Sequence, residues 1–321
     1  MPQKACEVSV MGRIGYDLYA MEHGRPLSEV EHFSRHVGGS SANIAVGLAR
    51  LGVKVGIISC VGKDLLADYL LDFLSQEGVD TQYVRLAEGY GTSLCLTEVS
   101  PPDRFPQVFY RHRPADTQVS IGGPEQEFIR NSRIFVTNGT SLSASPAREA
   151  TATALMTARK SQVRTVFDMD YRESSWNSSK EAGEQARKVI PWIDVILGNV
   201  DELSILTGES NGTAQAKTVF GMGASLLVRK LGARGVEVYT ANESFAVPPY
   251  PVQTLCTIGA GDGFAAGFLY ALYKEKSLTD CLNYGNAAAA IVVSRVSCSD
   301  AMPKLQEIES CLARSEHEPG L

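Results

Sequence analysis

Apolar residues along the chain fall into short blocks separated by polar, glycine-containing punctuation, and the blocks are of two kinds. Val8 to Gly12, Lys54 to Cys60, RIFVTNG from Arg133, RTVFDMD from Arg164, DVILGN from Asp194, ASLLVRKLG from Ala224 and VEVYT from Val236 lack clean polar alternation. Runs of this type suit parallel strands buried on both faces. Between them, GGSSANIAVGLARLG at 38–52, Leu65 to Glu77, and stretches near 146–160, near 178–189 and from about Asp201 have the spacing or capping signals of helices. Ser40 or Ser41 is placed to cap the first of these helices, and Gly78 ends the second. The alternation predicts a sheet built from βαβ units.

Two regions break this rhythm. Leu18 to Val37 is charged and weakly periodic, while residues 92–99 and 107–112 read as a hairpin across a Pro-Pro-Asp turn. Together they predict a small sheet beside the main domain, placed to cover a crevice. Towards the C-terminus, GDGFAAGFLYALYKE and DCLNYGNAAAAIVVSRVS predict two alanine-rich helices packed closely through small residues.

Composition narrows the picture only modestly. With 321 residues, 44% hydrophobic and 21% charged, the chain can bury a large core and is neither collagenous nor disordered. A formal net charge of -6 disfavours nucleic acid as the main partner but allows a local basic pocket for a small phosphate. No leader pattern and no 18-residue uncharged apolar run is present, so the expectation is a cytoplasmic protein without a membrane partner. Cysteines 6, 60, 95, 256, 281, 298 and 311 are scattered and odd in number, which argues against a disulfide framework or a cysteine-rich zinc site. His32 and His36 have the spacing of helical metal ligands but precede the helix, and no metal role is expected of them.

The densest polar signal is Thr257-Ile258-Gly259-Ala260-Gly261-Asp262-Gly263-Phe264, directly ahead of an apolar helix. Glycines allow consecutive N–H groups to converge at a helix N-terminus, where they can hold charge developing on a transferring phosphoryl group. A carboxylate at the same place can align and deprotonate an attacking alcohol, or simply cap the helix. A dinucleotide fold is disfavoured because Gly12 and Gly15 form only a fragment of GxGxxG, and no GxxxxGK[ST] is present for a P-loop.

GGSSANIAVGLARLG at 38–52 resembles the first signature of the PfkB/ribokinase-type carbohydrate kinases, and TIGAGDGFAAGFL at 257–269 resembles their second. The likeness spans essentially the whole chain. It implies a single kinase domain over 1–321 with a ribokinase-like three-layer α/β/α body and a β-sheet lid from approximately 16–37 and 90–114. It also implies transfer of the ATP γ-phosphoryl to a sugar hydroxyl. On this resemblance Asp262 is the general base, and Gly259, Ala260 and Gly261 form the anion hole. Asn199 and Glu202 match an NxxE motif that organises Mg²⁺ through waters. Lys230, Gly232 and Gly235 line the nucleotide, with Asn286 on the adenine side.

Sugar contacts are carried by Asp17, Gly38, Gly39 and Asn43, with Arg111 and Arg172 matching an acidic substrate. FDMDYRESSW and the lid segment resemble family members acting on keto-deoxy sugar acids. They favour 5-dehydro-2-deoxy-D-gluconate of inositol catabolism over 2-dehydro-3-deoxygluconate, fructose or ribose. A non-catalytic sugar-binding descendant is the alternative outside enzymes, disfavoured by the intact GAGD. Cys256 stands where the family often has an Asp linked to a K⁺ loop, which leaves K⁺ dependence open. The resemblance also leaves room for a homo-oligomer.

Overall fold

The computed structural model describes residues 7–102 and 104–317; Cys6, and Asp103 of the Pro-Pro-Asp turn, lie outside the described residues. The strands are β1 Val8–Met11, β2 Gly15–Ala20, β3 Phe33–Gly38, β4 Val55–Gly62, β5 Val84–Ala87, β6 Ser93–Thr97, β7 Gln107–Tyr110, β8 Ile134–Asn138, β9 Arg164–Asp168, β10 Val195–Asn199, β11 Leu226–Lys230, β12 Val236–Tyr239 and β13 Ser244–Val247. The helices are α1 Ser40–Arg50, α2 Leu65–Gln76, α3 Gly123–Arg130, α4 Ala147–Lys160, α5 Ser179–Val189, α6 Val200–Thr207, α7 Gly212–Gly221, α8 Ala260–Tyr273, α9 Leu278–Val293 and α10 Leu305–His317.

Among the described residues, one sheet runs β13-β12-β11-β10-β9-β8-β1-β4-β5 and a second runs β3-β2-β6-β7. From β11 to β5 every pairing in the large sheet is parallel, and β12 and β13 add an antiparallel edge. Two apolar clusters face this sheet. One contains residues of α1, α2, α8 and α9, and the other contains residues of α3, α4, α5, α6 and α7. The result is the expected three-layer α/β/α body.

The second sheet is the small sheet expected from Leu18 to Val37 and the hairpin, although the strands within Leu18 to Val37 are not legible one by one. The ends of that segment are strands, with β2 antiparallel to β3 and parallel to β6. β2 alternates buried and half-buried positions over only a few residues, too short a repeat to stand out from its charged surroundings. The hairpin β6–β7 has the expected antiparallel pairing.

A correction concerns the first helix. Gly39 is its N-cap, with φ +94°, and Ser40 and Ser41 already lie in the first turn without capping it. Ser41 Oγ instead donates to the Met11 carbonyl, tying α1 to the end of β1. A side chain on Gly39 would begin 2.4 Å from the Arg13 carbonyl oxygen, so the glycine permits both the backbone conformation and the close approach.

Small residues bring α8 and α9 together as the sequence suggests, and they bring α1 against α8 as well. A Cβ on Gly47 would lie 2.5 Å from Ala266 Cβ, one on Gly263 2.7 Å from Val292 Cγ2, and one on Gly267 2.3 Å from the Tyr284 carbonyl oxygen. The Gly267 neighbour is backbone and cannot rotate away. Gly267→Ala is therefore expected to destabilise the protein by about 1–3 kcal/mol in chemical denaturation, through overpacking. An unchanged midpoint would mean that α8 and α9 can part without cost.

Candidate active site

A crevice of about 680 Å³ opens at the C-terminal ends of the parallel strands β9, β10 and β11, where open α/β sheets bind ligands. Asp168, Asp170, Arg172, Asn199, Glu202, Lys230, Gly232, Gly235, Gly259, Ala260, Gly261, Asp262 and Asn286 all contribute to its wall. The second signature therefore meets the central FDMDYR segment in the wall, while the first signature lies outside it and reaches the site through Asn43, which bonds Asp262.

At the start of α8, Gly259 is the N-cap in the left-handed region at φ +84°, and the helix begins at Ala260. Only 8% of Asp262 is exposed. Its Oδ2 accepts a 2.7 Å hydrogen bond from Asn43 Nδ2, while Asn43 Oδ1 accepts one of 2.7 Å from Ser299 Oγ. The Asn43 amide thus holds the carboxylate with one of its two N–H hydrogens. Ser299 had no signal in the sequence because it lies 256 positions away from its partner. Burial, then Asp170, raises the Asp262 pKa; Asn43, Ser40 and Arg172 oppose the rise.

Lys230 ends β11 and donates to Asp168 Oδ1 and Oδ2 at 3.0 and 2.8 Å. Its Nζ lies 3.4 Å from where a side chain on Gly261 would begin, so a fixed ammonium faces the amide-rich helix start. Burial works against the ammonium, but Asp168 and then Glu202 hold its pKa above the ordinary value. Burial pushes Asp168 up to about 6 in spite of Lys230. Asp168 was not singled out from the sequence as a site residue, yet it is part of the crevice wall.

The NVDE segment both caps a helix and faces the crevice. Asn199 Oδ1 accepts from Glu202 N at 2.9 Å, and Glu202 Oε2 accepts from Asn199 N at 2.7 Å. Each carboxylate oxygen retains acceptor capacity after this capping box. Among the described residues no cluster of three or more His, Cys, Asp and Glu side chains forms a metal cage. The wall instead offers separate oxygen donors, which fits a hard cation that keeps waters and phosphate ligands.

Asp170 has φ +32°, an uncommon backbone state that Asp tolerates, and Thr140 Oγ1 bonds both its carbonyl and its Oδ2, at 3.0 and 3.1 Å. Arg172 Nε pairs with Asp170 Oδ1 at 3.1 Å. Arg111 is placed otherwise. It donates to Ser93 Oγ at 2.9 Å and to both Asp116 oxygens at 3.1 and 2.8 Å, and it is not part of the crevice wall. Asn286 Nδ2 donates to the Pro248 carbonyl at 2.8 Å, fastening the 248–252 loop that walls the far end of the crevice.

Asp17 sits on β2 of the second sheet, 5% exposed and outside the open part of the crevice. Gly38 makes room for it, because a Cβ there would lie 2.0 Å from Asp17 Oδ2. Further along β2, Tyr19 Oη and Cys298 Sγ are 3.0 Å apart, and Cys298 packs against Gly259. Cys256 is fully buried in the same cluster, where burial raises its thiol pKa, so this position supplies no carboxylate to a cation. His32 and His36 bond different carboxylates, Glu22 and Asp300.

Burial pushes Asp17 up to about 6 from an ordinary 3.8, despite Arg13, His36 and Arg172. The folded state therefore holds this proton more tightly than the unfolded chain. The stability contributed by the group is complete below about pH 4 and lost as pH rises through 6, a cost on the order of 2–3 kcal/mol at neutral pH. Asp17→Asn is expected to raise Tm by several degrees at pH 7.5, with the gain disappearing near pH 4. A gain of equal size at both pH values would exclude the buried charge as its cause.

Comparison with known proteins agrees with this arrangement. Residues 6–305 match the pfkB family carbohydrate kinases. The chain is 37% identical to a 5-dehydro-2-deoxygluconokinase from Lacticaseibacillus casei, covering 98% of each chain. It is 36% identical to one from Clostridium tetani, covering 99% of this chain and 96% of that one. Among solved structures, a PfkB protein from Polaromonas sp. JS666 superposes with a TM-score of 0.81 at 26% identity, over 93% of this chain and 99% of that one. Aminoimidazole riboside kinase from Salmonella enterica, complexed with aminoimidazole riboside and an ATP analog, gives 0.79 at 25%, over 96% and 99%.

Proposed function

Because the chain belongs to the pfkB family of carbohydrate kinases, we propose that it transfers the γ-phosphoryl group of ATP to the 6-hydroxyl of 5-dehydro-2-deoxy-D-gluconate. The observation that carries the reaction type is the junction at α8: Asp262 is held at 2.7 Å by Asn43, beside a glycine-rich helix start faced by Lys230. The name shared by the bacterial relatives supports this keto-deoxy sugar acid, as does the number of arginines around the sugar end.

Asp262 accepts the proton of the attacking hydroxyl as its oxygen bonds to phosphorus and the bond to the leaving ADP oxygen breaks. The N–H groups of Gly259, Ala260 and Gly261 receive the negative charge carried by the transferring group, with Lys230 and Arg172 on either side. Asn199 and Glu202 would hold Mg²⁺ through waters, with Asp168 close to the same phosphates; the ion, when bound, neutralises phosphate oxygens. Gly232, Gly235 and Asn286 belong to the nucleotide end of the wall. Asp17, Gly38 and Gly39 shape the sugar end beneath the four-stranded sheet, which acts as a lid and reaches the crevice through Gln107.

Asp262→Asn is expected to lower kcat by about 10²–10⁴-fold while leaving most sugar affinity in place. A variant with near wild-type kcat would remove Asp262 from the role of base. In a panel of 5-dehydro-2-deoxygluconate, 2-dehydro-3-deoxygluconate, fructose and ribose with ATP and Mg²⁺, kcat/KM is expected to favour the first by at least about tenfold. Preference for a neutral sugar would retain the kinase and overturn the substrate. The pH profile of kcat/KM is expected to fall on the acid side as pH drops through about 6, where Asp17 takes up its proton. A profile flat to pH 4.5 would contradict that role for an ionised Asp17.

A further inference from the structure

Recognition of an acid requires a cation that the protein does not already neutralise, and the arginines around the sugar end differ sharply in this respect. Arg111 is a buried fork closed on Asp116 and Ser93. Arg113 stacks over Tyr90 at 4.8 Å. Arg172 pairs with Asp170, and Asp170, then Asp262, Glu202 and Cys298, raise its pKa, while its charge also reaches Asp17.

Arg13 is different. It lies in the connection between β1 and β2, and its carbonyl is pressed against Gly39 of the first signature. Among the described residues it forms no contact ion pair, its charge acting on Asp17 only at longer range, and its Nη1 is buried without a hydrogen-bond partner. The ring of Phe109, on β7, lies 5.7 Å from its guanidinium carbon. Asp17 Oδ1 is likewise buried and unpartnered. These two orphan groups flank Gly15, since a Cβ there would begin 2.7 Å from Arg13 Nη1 and 3.6 Å from Asp17 Oδ1. A donor and an acceptor are thus both buried and unmet around a residue that has no side chain.

A hydroxy acid supplies what each lacks: a carboxylate oxygen for the guanidinium and a hydroxyl hydrogen for the carboxylate. A neutral sugar can satisfy Asp17 but brings no charged acceptor to the unpartnered Nη1 of Arg13. We propose that Arg13 is the specificity-determining residue that binds the carboxylate of the sugar acid, next to the hydroxyl bound by Asp17. Arg172 then serves the transferring phosphoryl group at the opposite end of the sugar. This assignment rests on the sugar-acid reading of the preceding subsection.

The test compares wild type, Arg13→Ala, Arg13→Lys and Arg172→Ala on 5-dehydro-2-deoxygluconate and fructose, with calorimetric binding of the acid as a readout independent of turnover. Arg13→Ala is expected to lower the acid-to-fructose ratio of kcat/KM by at least about thirtyfold and to weaken acid binding by a similar factor. Arg13→Lys keeps the charge without the fork and should lose less, and it serves as the deciding variant if the alanine protein does not fold. Arg172→Ala should lower transfer to both sugars alike. Equal losses on the two sugars for the Arg13 variants, or unaltered acid binding, would overturn the proposal. If wild type uses and binds the acid while the Arg13 variants keep its preference, this inference alone fails. If wild type neither binds nor phosphorylates the acid, the substrate reading fails with it.

Discussion

The site depends on how closely α1 and α8 can approach. Asn43 and Asp262 are 219 positions apart, yet their side chains meet at 2.7 Å because Gly47, Ala266, Gly263 and Gly267 let three helices pack almost backbone to backbone. A hydrogen bond to a carboxylate is strongest when short and well aligned, and it weakens as the distance and angle open. Small residues well away from the crevice therefore set the aim of the proposed base. The same packing places Gly259 over Cys298, and Cys298 meets Tyr19 of β2, so the anion-hole turn also touches the strand that carries Asp17.

Around this frame the protein accumulates charges that folding alone would not favour. Asp17, Asp168, Asp170 and Asp262 are all at least nine-tenths buried, and burial pushes up the pKa of three of them, Asp17, Asp168 and Asp262. Removing ionised carboxylates from water is expensive unless each is paired or hydrogen-bonded. Lys230 answers Asp168, Arg172 answers Asp170 and Asn43 answers Asp262, whereas one oxygen of Asp17 is left unanswered. Stability and the sugar-binding role proposed for Asp17 therefore oppose each other.

The legible parts of the fold were those with long or chemically distinctive patterns. The buried parallel strands, α1, α2, α4, α5 and the Gly-Ala helices could be read because their apolar runs or capping residues persist over enough positions. β5 and β13 are four-residue edge strands, and α3 and α7 are short helices, which leaves little periodicity to detect. In the site, glycine-rich turns and NVDE announce themselves locally, whereas pairings such as Asn43 with Ser299 or Lys230 with Asp168 exist only after the chain has folded. The arginines show this limit most clearly. The resemblance points to Arg111 and Arg172 alike, but only the fold tells a spent fork at Arg111 from an open one at Arg13.

That distinction also explains how a crevice rich in acids can take an anionic sugar together with a polyanionic nucleotide. Charges of one sign within a water-poor pocket interact strongly, so a single diffuse basic surface would draw both ligands without ordering them. Here the cations are separated by partner. Lys230 faces the start of α8, Arg172 lies among Asp170, Asp262 and Glu202, and Arg13 stands beyond Asp17 against Phe109. On the proposed roles, an acid held at Arg13 would direct its far hydroxyl away from that end, and Asp17 would fix the middle of the molecule. Orientation then comes from opposition between fixed charges at two ends, and Gly15 keeps the space between Arg13 and Asp17 free of protein.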